Sequence, residues 1–436
     1  MDSSEVIRVD VLIMGGGIQG LWLLRDLVGA GYSAVLLEIR ALGGEQTCHS
    51  HVYLHRGYNY QRIELIKALG KAHQRWEHCL KTDPLPGPKP VLGFTNPADC
   101  EKKKKAWEHA GLKAPEPLSE AEWSVPLRGG SIKSCWSTDE EYADATVLVS
   151  ALMQGLEEHT SRIERVLDMT LSMVELDRYT RFEVTEVKIR LPSGKVVAVQ
   201  PSAVVFAAGY GNQQLLNFLA RYEELKPAFA NQQQVRKGHM LVVEGSIEPL
   251  CGIFSFGEEH ELFIVPRTHK ERTIWLISDN RSPALSSVED YFGRCHVRQW
   301  LPRVLAGLDN LAPDYFKDDK KAQLRWGVYE APKAEGRQAG NLPPEHVVLH
   351  HRSVPNVWAV WPTKLTLAPL ASQEVVAEIE CDLTASGQSE LPSQWHKVRS
   401  PLRPEDERWT KTPLVSWEDF KRGHDLVEIK AKEAMP

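Results

Sequence analysis

Three histidines crowd into seven residues, at His49, His51 and His55, with Ser50 between them and Arg56-Gly57-Tyr58-Asn59-Tyr60 behind. Imidazole exchanges a proton near neutral pH and also binds metals. If this stretch were one extended strand, positions 49, 51, 53 and 55 would share a face. No carboxylate or cysteine completes a metal set there, so no metal is expected. Two readings remain: a surface cluster, or groups placed beside a cofactor. A cationic candidate, Lys364, stands late in the chain, in Pro362-Thr363-Lys364-Leu365-Thr366.

The element that would position such chemistry begins the chain. Val9-Asp10-Val11-Leu12-Ile13 reads as a buried strand. It runs into Gly15-Gly16-Gly17-Ile18-Gln19-Gly20, a G-x-G-x-x-G sequence with Gly15, Gly17 and Gly20 in register. Apolar positions at Leu21, Leu24, Leu27 and Val28 follow a helical spacing. Ser33-Ala34-Val35-Leu36-Leu37 is a second strand, closed by Glu38. In such a unit one glycine makes the tight turn, one lets the backbone approach a pyrophosphate and one packs helix on strand. The phosphates sit on free N–H groups at the positive end of the helix, and the terminal acid accepts from a ribose. Strand, loop, helix, strand and acid in this order predict a dinucleotide site.

The chain has 436 residues, enough for two or three domains, and with 42% apolar and 25% charged residues it is expected to bury a large core. A net charge of −6 argues against nucleic acid as partner. Seven scattered cysteines without a C-x-x-C predict reduced thiols and a cytoplasmic setting. The start, MDSSEVIRVD, lacks a basic n-region, so no signal peptide is expected, and no apolar run reaches bilayer length, so no transmembrane segment is expected either.

In chain order, helices are predicted over 61–80, 140–162, 213–219, 288–301 and 367–379, and strands over 163–200, 203–207, 262–267, 273–277 and 356–361. A hairpin is expected at 191–195. The prolines of KTDPLPGPKP mark a candidate domain crossing. The lysine run 102–105 reads as a solvated helix face. The Pro-rich tail, 386–436, would drape over the body or be partly mobile. Ala207-Ala208-Gly209-Tyr210-Gly211 ends one buried strand in a close-approach turn, and Pro362–Thr366 ends another in a loop that opens a helix.

Together these segments resemble the FAD-dependent D-amino-acid oxidase superfamily, which includes glycerol-3-phosphate dehydrogenase and the 2-hydroxyglutarate and glycine oxidases. VDVLIMGGGIQGLWLLRDLVGAGYSAVLLE, VVFAAGYGNQQLL and NVWAVWPTKLTLAPLASQEVVAEI carry the resemblance over about 10–385; VRKGHMLVVEG and FIVPR add a weaker match. The resemblance implies an α/β chain: a Rossmann-like FAD-binding domain with an inserted mixed-sheet α+β substrate domain. The FAD domain would use 1–80, 140–225 and 341–385. The substrate domain would use 81–139 and 226–340, leaving 386–436 as an extension.

FAD would be held by Gly15, Gly17, Ile18, Gln19, Gly20, Glu38, His49, Ser50, Ala208, Gly209, Pro362, Thr363, Lys364, Leu365 and Thr366. Glu38 would take the adenosine ribose. His49 is similar to the histidine that some relatives bond covalently to the flavin. The implied reaction moves a hydride from a C–H beside an amine or hydroxyl to flavin N5. His51 or His55 would act as base, and Lys364 would stabilise charge on the reduced ring. Oxygen or a quinone would accept the electrons. Many relatives carry a carboxylate-clamping Arg where this chain has Tyr329; Arg325, Arg267 and Arg56 are the substitutes. A non-catalytic flavin-binding or partner protein is the rival expectation. A flavin hydroxylase is disfavoured because the chain has no Gly-Asp dipeptide, and a disulfide reductase because it has no redox cysteine pair.

Overall fold

The computed structural model describes residues 5–80, 87–154, 156, 162–176, 181–236, 238–257, 260–279, 295–337, 345–386 and 403–424. Two eight-stranded sheets organise them. The first has Glu5–Met14 near its centre, paired in parallel with Val196–Phe206 on one side and Ala34–Glu38 on the other. Arg162–Arg165 extends it beyond Ala34–Glu38, and Val354–Trp361 extends it beyond Val196–Phe206, both in parallel. Val347–His351, Phe182–Arg190 and Asp168–Glu175 add antiparallel pairings.

Central parallel strands are covered on both faces and read as near-continuous apolar runs. Val11, Leu12 and Ile13 are fully buried, as that rule requires. Helices Ile18–Gly29, Ala145–Met153 and Ala368–Asp382 cover one face through Leu21, Leu24, Leu148, Leu152, Ala371 and Val375. The other face is closed by Phe182, Val184, Val187, Leu216 and Phe229. At the N-terminal end of the unit, Asp10 and Ser33 exchange hydrogen bonds: Ser33 N donates to Oδ2 at 2.8 Å, and Asp10 N donates to Oγ at 2.9 Å.

The second sheet runs Arg325–Glu330, His239–Gly245, Arg272–Asp279, Glu261–His269, Gly252–Ser255, Val91–Phe94, Ser134–Ser137, Glu116–Leu118. It is antiparallel except where Gly252–Ser255 meets Val91–Phe94. Segments 91–137 and 239–330 therefore share one sheet, roofed by helix Cys295–Leu311 through Trp300, Leu301, Val304 and Leu308. Two small ribbons stand apart from both sheets: Tyr53–Leu54 with Glu141–Tyr142, and Gln233–Arg236 with Lys333–Gly336.

Several expectations change in the structure. The helix expected over 140–162 spans only Ala145–Met153, because Glu141–Tyr142 pairs as a strand and Arg162–Arg165 joins the first sheet. The helix expected over 288–301 begins, among the described residues, at Cys295 and continues to Leu311; the rest of that expectation lies outside them, as does most of the proline crossing. The lysine run sits on helix Pro97–Ala110, but Lys103 is buried in an ion pair with Glu261 at 2.7 Å. Residues 403–424 of the tail are docked. Val415 bridges to Trp326, and Trp417 and Phe420 bury under the second sheet. A Cβ on Gly327 would lie 2.7 Å from the Pro413 carbonyl, so only glycine lets the strap approach that closely.

The six cysteines whose side chains are described form no disulfide. No helix among the described residues is long and apolar enough to cross a membrane.

Candidate active site

The three glycines of the opening loop do different work. Gly15 has φ +114°, and a Cβ there would fall 2.5 Å from Ala208 Cα; the loop passes against Ala207-Ala208. A Cβ on Gly20 would fall 1.9 Å from the Gly15 carbonyl oxygen, so the helix starts directly on the loop. A Cβ on Gly17 would touch only Thr47 Oγ1, at 3.7 Å, so nothing crowds that side of the loop. It is also the N-cap of helix Ile18–Gly29 and supplies no side-chain cap. The helix thus presents N–H groups at a concave surface, the arrangement that holds a phosphate. Glu38 ends the second strand and accepts from Gly16 N at 2.6 Å and Arg40 N at 2.7 Å. Both polar atoms of the Gln19 amide are buried without a partner among the described residues.

A cavity of about 630 Å³ extends from this loop, within the usual range for ligand sites. Gly15, Gly17, Ile18, Gln19, Glu38, Ala208 and Gly209 line one end. Pro362, Thr363, Lys364 and Leu365 line it as well, together with His49, Ser50, His51 and His55. The segments thus converge from residues far apart in sequence. Gly20 and Thr366 are not on the wall. Thr366 Oγ1 accepts from His55 N at 3.0 Å, and its carbonyl accepts from Trp76 Nε1 at 3.0 Å, which ties the late loop to the histidine segment. Thr363 has φ +59° and a buried hydroxyl without a partner. The unpartnered Gln19 and Thr363 groups, the open Gly17 cradle and Glu38 fit a dinucleotide such as FAD.

The histidine segment is not one extended strand. His49 ends the short helix Gln46–His49, Val52 has φ +50°, and only Tyr53–Leu54 is strand. The chain turns at Val52 because Tyr53–Leu54 must pair with Glu141–Tyr142. His51 and His55 still face one space, across Phe263, with ring centroids 5.7 Å from it in each case. Tyr53 lies 4.8 Å and Tyr60 5.7 Å from His55. Burial, followed by the charges of Lys333 and Arg267, pushes His51 down to about 3. Burial also holds His55 well below the usual histidine range, with the His51, Lys364 and Lys333 charges adding to it. Both rings are therefore neutral at pH 7 and hold a proton only weakly.

Behind them, Glu140 accepts from Tyr53 Oη at 2.8 Å and Arg56 N at 2.8 Å, and lies 3.9 Å from His55 Nδ1. Its burial raises the carboxyl to about 7. Lys364 stands 5.2 Å from the Tyr60 ring, and burial pushes its ammonium down to about 8.

The residues expected to meet substrate lie elsewhere. Tyr329 is buried under Trp409 and Met240, off the cavity wall. Arg267 is held by Asp144 at 2.7 Å, by the Ala143 carbonyl at 2.7 Å and by the His51 carbonyl at 3.2 Å, so it braces the histidine segment from behind. Arg325 pairs with Glu244 at 3.3 Å and donates to the Leu414 carbonyl at 2.8 Å. Arg56 pairs with Glu77 and, at 3.4 Å, with Asp139. In their place the wall carries Arg236, from the weakly matching VRKGHMLVVEG segment, Lys333, which no motif marks, and the rings of Tyr53, Tyr60 and Phe263. Those rings sit inside two of the quoted segments but carry no spacing signal of their own.

A family model described as FAD dependent oxidoreductase (DAO) matches residues 10–360. A probable FAD-dependent oxidoreductase of Pseudomonas aeruginosa is 26% identical over 407 residues, covering 87% of this chain and 92% of the relative. The crystal structure of that protein superposes with a TM-score of 0.66 at 22% identity, over 92% of this chain and 98% of the other. Glycine oxidase from Geobacillus kaustophilus gives a TM-score of 0.58 at 15% identity, over 87% and 96%. Glycerol-3-phosphate dehydrogenase from Bacillus halodurans, complexed with FAD, gives 0.55 at 15%, over 87% and 66%. These structural likenesses show the fold. With the family model spanning most of the chain, they show that this protein belongs to the D-amino-acid oxidase superfamily of FAD-dependent oxidoreductases, whose cofactor is FAD.

Proposed function

We propose that this chain oxidises a small molecule at a C–H bond next to an amine or hydroxyl, producing an imine or a carbonyl. FAD, when bound, supplies the hydride acceptor. Gly15, Gly17 and the N-terminus of helix Ile18–Gly29 hold its phosphates, and Glu38 its ribose. The domain division given above and the site residues at 362–366 belong to the same proposal. The chain's own chemistry lies at the other end of the cavity. His51 or His55, neutral and buried beside Phe263, takes the proton of the substrate's N–H or O–H. Phe263, Tyr53 and Tyr60 exclude water. Lys364 and the backbone N–H groups of 363–366 supply positive potential where negative charge develops. Oxygen or a quinone takes the electrons afterwards.

One observation supports this reading above all: two neutral imidazoles and a buried ammonium face the same cavity as the dinucleotide loop. A second reading, a flavin-binding protein without turnover, is favoured by the diversion of Tyr329, Arg325, Arg267 and Arg56 to structural partners. Anaerobic mixing of the FAD-loaded protein with a panel of amino acids, amines and hydroxy acids separates the two. Turnover bleaches the flavin band near ~450 nm with at least one member; a protein that holds FAD and bleaches with none is a binding protein.

A further inference from the structure

We propose that Glu140 is a positioning residue for His55: its carboxylate keeps the imidazole proton on Nδ1 and so leaves the Nε2 lone pair to the substrate. The inference rests on the oxidoreductase reading above. It adds which imidazole serves that reaction, and through which nitrogen.

A small ribbon brings the two side chains together. Tyr53 pairs with Tyr142 and Leu54 with Glu141. One step further in that register, His55 stands opposite Glu140, where cross-strand neighbours meet. The Glu140 side chain is fully buried. Its Oε2 accepts from Tyr53 Oη at 2.8 Å, and its Oε1 accepts from Arg56 N at 2.8 Å and Gly57 N at 3.2 Å. Gly57 has φ +113°, and a Cβ there would fall 3.1 Å from Ile66 Cα, so the turn that aims these amides requires glycine. Amides can only donate, and both call for an oxygen that accepts.

What this carboxylate lacks is a cation. Arg56 turns its guanidinium to Glu77 and Asp139. Among the described residues, the basic atom within ion-pair distance of Glu140 is His55 Nδ1, 3.9 Å from Oε1. That is too long for a hydrogen bond, so the carboxylate acts through its charge. A negative charge favours an N–H over a lone pair on the ring nitrogen that faces it. Nδ1 is itself buried and has no hydrogen-bond partner among the described residues, so nothing competes with Glu140 for it. His55 lines the cavity, and with Nδ1 buried only Nε2 can meet a ligand there. When Nε2 takes the proton of a substrate N–H or O–H, the positive charge of the ring lies beside Glu140. The partner missing from a costly buried carboxylate is then supplied by the reaction itself. His51 has no ion pair of this kind among the described residues.

The pair has a pH window of its own. Burial raises the Glu140 carboxyl to about 7. Arg56, Asp139, Glu141 and Glu77 flank it. Burial keeps the nearby Tyr53, Tyr58, Tyr60 and Cys251 protonated and His51 and His73 neutral across that range. Lys333 and Lys364, whose charges reach His55, change nearer 8. A carboxyl with a raised pKa gains its charge late, so the Nδ1–H form of His55 should grow as pH rises from about 6 to about 7.5.

The test is nitrogen NMR of the FAD-loaded protein carrying isotope-labelled histidine, with His55→Gln identifying the His55 signals. Wild type should show the Nδ1–H tautomer at pH ~7.5 and less of it at pH ~6. Glu140→Gln keeps an oxygen for the amides but no charge. It should lose the tautomer preference at both pH values. It should also slow flavin bleaching by the fastest member of the panel by about a hundredfold, with KM within about threefold. Glu140→Asp keeps the charge and should keep the pH-dependent preference. Should Glu140→Gln fail to fold, Tyr53→Phe removes one donor to the carboxylate and should move the tautomer change to higher pH. An Nε2–H tautomer in wild type, a tautomer that ignores both pH and these substitutions, or bleaching at the wild-type rate in Glu140→Gln would each overturn the assignment. Failure of the oxidoreductase reading looks different: an Nδ1–H tautomer that depends on Glu140, with no bleaching by any member of the panel.

Discussion

The two ends of the cavity are built by different physics. At the nucleotide end the work is done by backbone: a loop so close to its neighbour that a Gly15 Cβ would fall 2.5 Å from Ala208 Cα, a helix that starts on that loop, and a helix N-terminus without a side-chain cap. At the substrate end it is done by titratable side chains gathered on the cavity wall, His51, His55, Lys333 and Lys364, whose proton affinities the surrounding protein lowers. Backbone geometry demands glycine at fixed spacing and so leaves a signature in sequence. Side chains gathered from separate strands and loops can come from almost any position that folding brings to the wall.

If the ends are separable in this way, damage to one should spare the other. The largest effect is expected at the nucleotide end. Gly20→Val places a branched side chain where even a Cβ would sit 1.9 Å from the Gly15 carbonyl. The loop must give way, and overpacking of that kind costs about 1–3 kcal/mol or more, so FAD affinity should fall by about tenfold to over a hundredfold. FAD content after gel filtration measures it. Next, His55→Gln keeps FAD but removes a proton acceptor, and the bleaching rate of a reducing substrate should fall by about a hundredfold or more. Equal rates in wild type and variant would move the base to His51 or away from both.

The pH dependence is a smaller effect with a definite sign. Burial, then the neighbouring Arg236 charge, lowers the Lys333 ammonium to about 8, against the pull of Glu335. Lys364, His51 and His55 are the other titratable groups nearby, and both imidazoles are neutral throughout this range. A base with a depressed pKa loses its charge at lower pH than an ordinary lysine. The pull of Lys333 on an anion in the cavity should therefore weaken as pH rises through about 8, where surface lysine chemistry would hold it to about 10. Calorimetry with acetate or phosphate as probe at pH 7 and 9.5 reads the difference. The smallest effect is expected at Arg325→Ala. Its guanidinium serves Glu244 and the Leu414 carbonyl outside the cavity, so substrate affinity should stay within about twofold of wild type. A large loss would return Arg325 to the site.

This difference also explains what could be read from the chain. The opening strand–loop–helix–strand unit, the Ala-Gly turn at 208–209 and the loop at 362–366 were legible because each needs small residues or a forced backbone in a set order. The helix at 63–80 was legible from its periodicity. The strap at 403–424 was not: Trp409, Trp417 and Phe420 lie in a polar, Pro-rich stretch, and their burial depends on a surface supplied by Gly327 and Trp326. Lys103 was read as solvated because its partner, Glu261, is far away in sequence. Lys333 carries no pattern at all; only the ribbon with Gln233–Arg236 brings it to the cavity.

That FAD is held by the dinucleotide loop and not by the two imidazoles can be tested by one measurement, the FAD stoichiometry of a chain carrying His51→Gln and His55→Gln together. The account predicts about one FAD per chain, as in wild type, with Gly20→Val near zero beside it. A colourless double variant that is folded by circular dichroism, or a Gly20→Val chain that stays yellow, would contradict it.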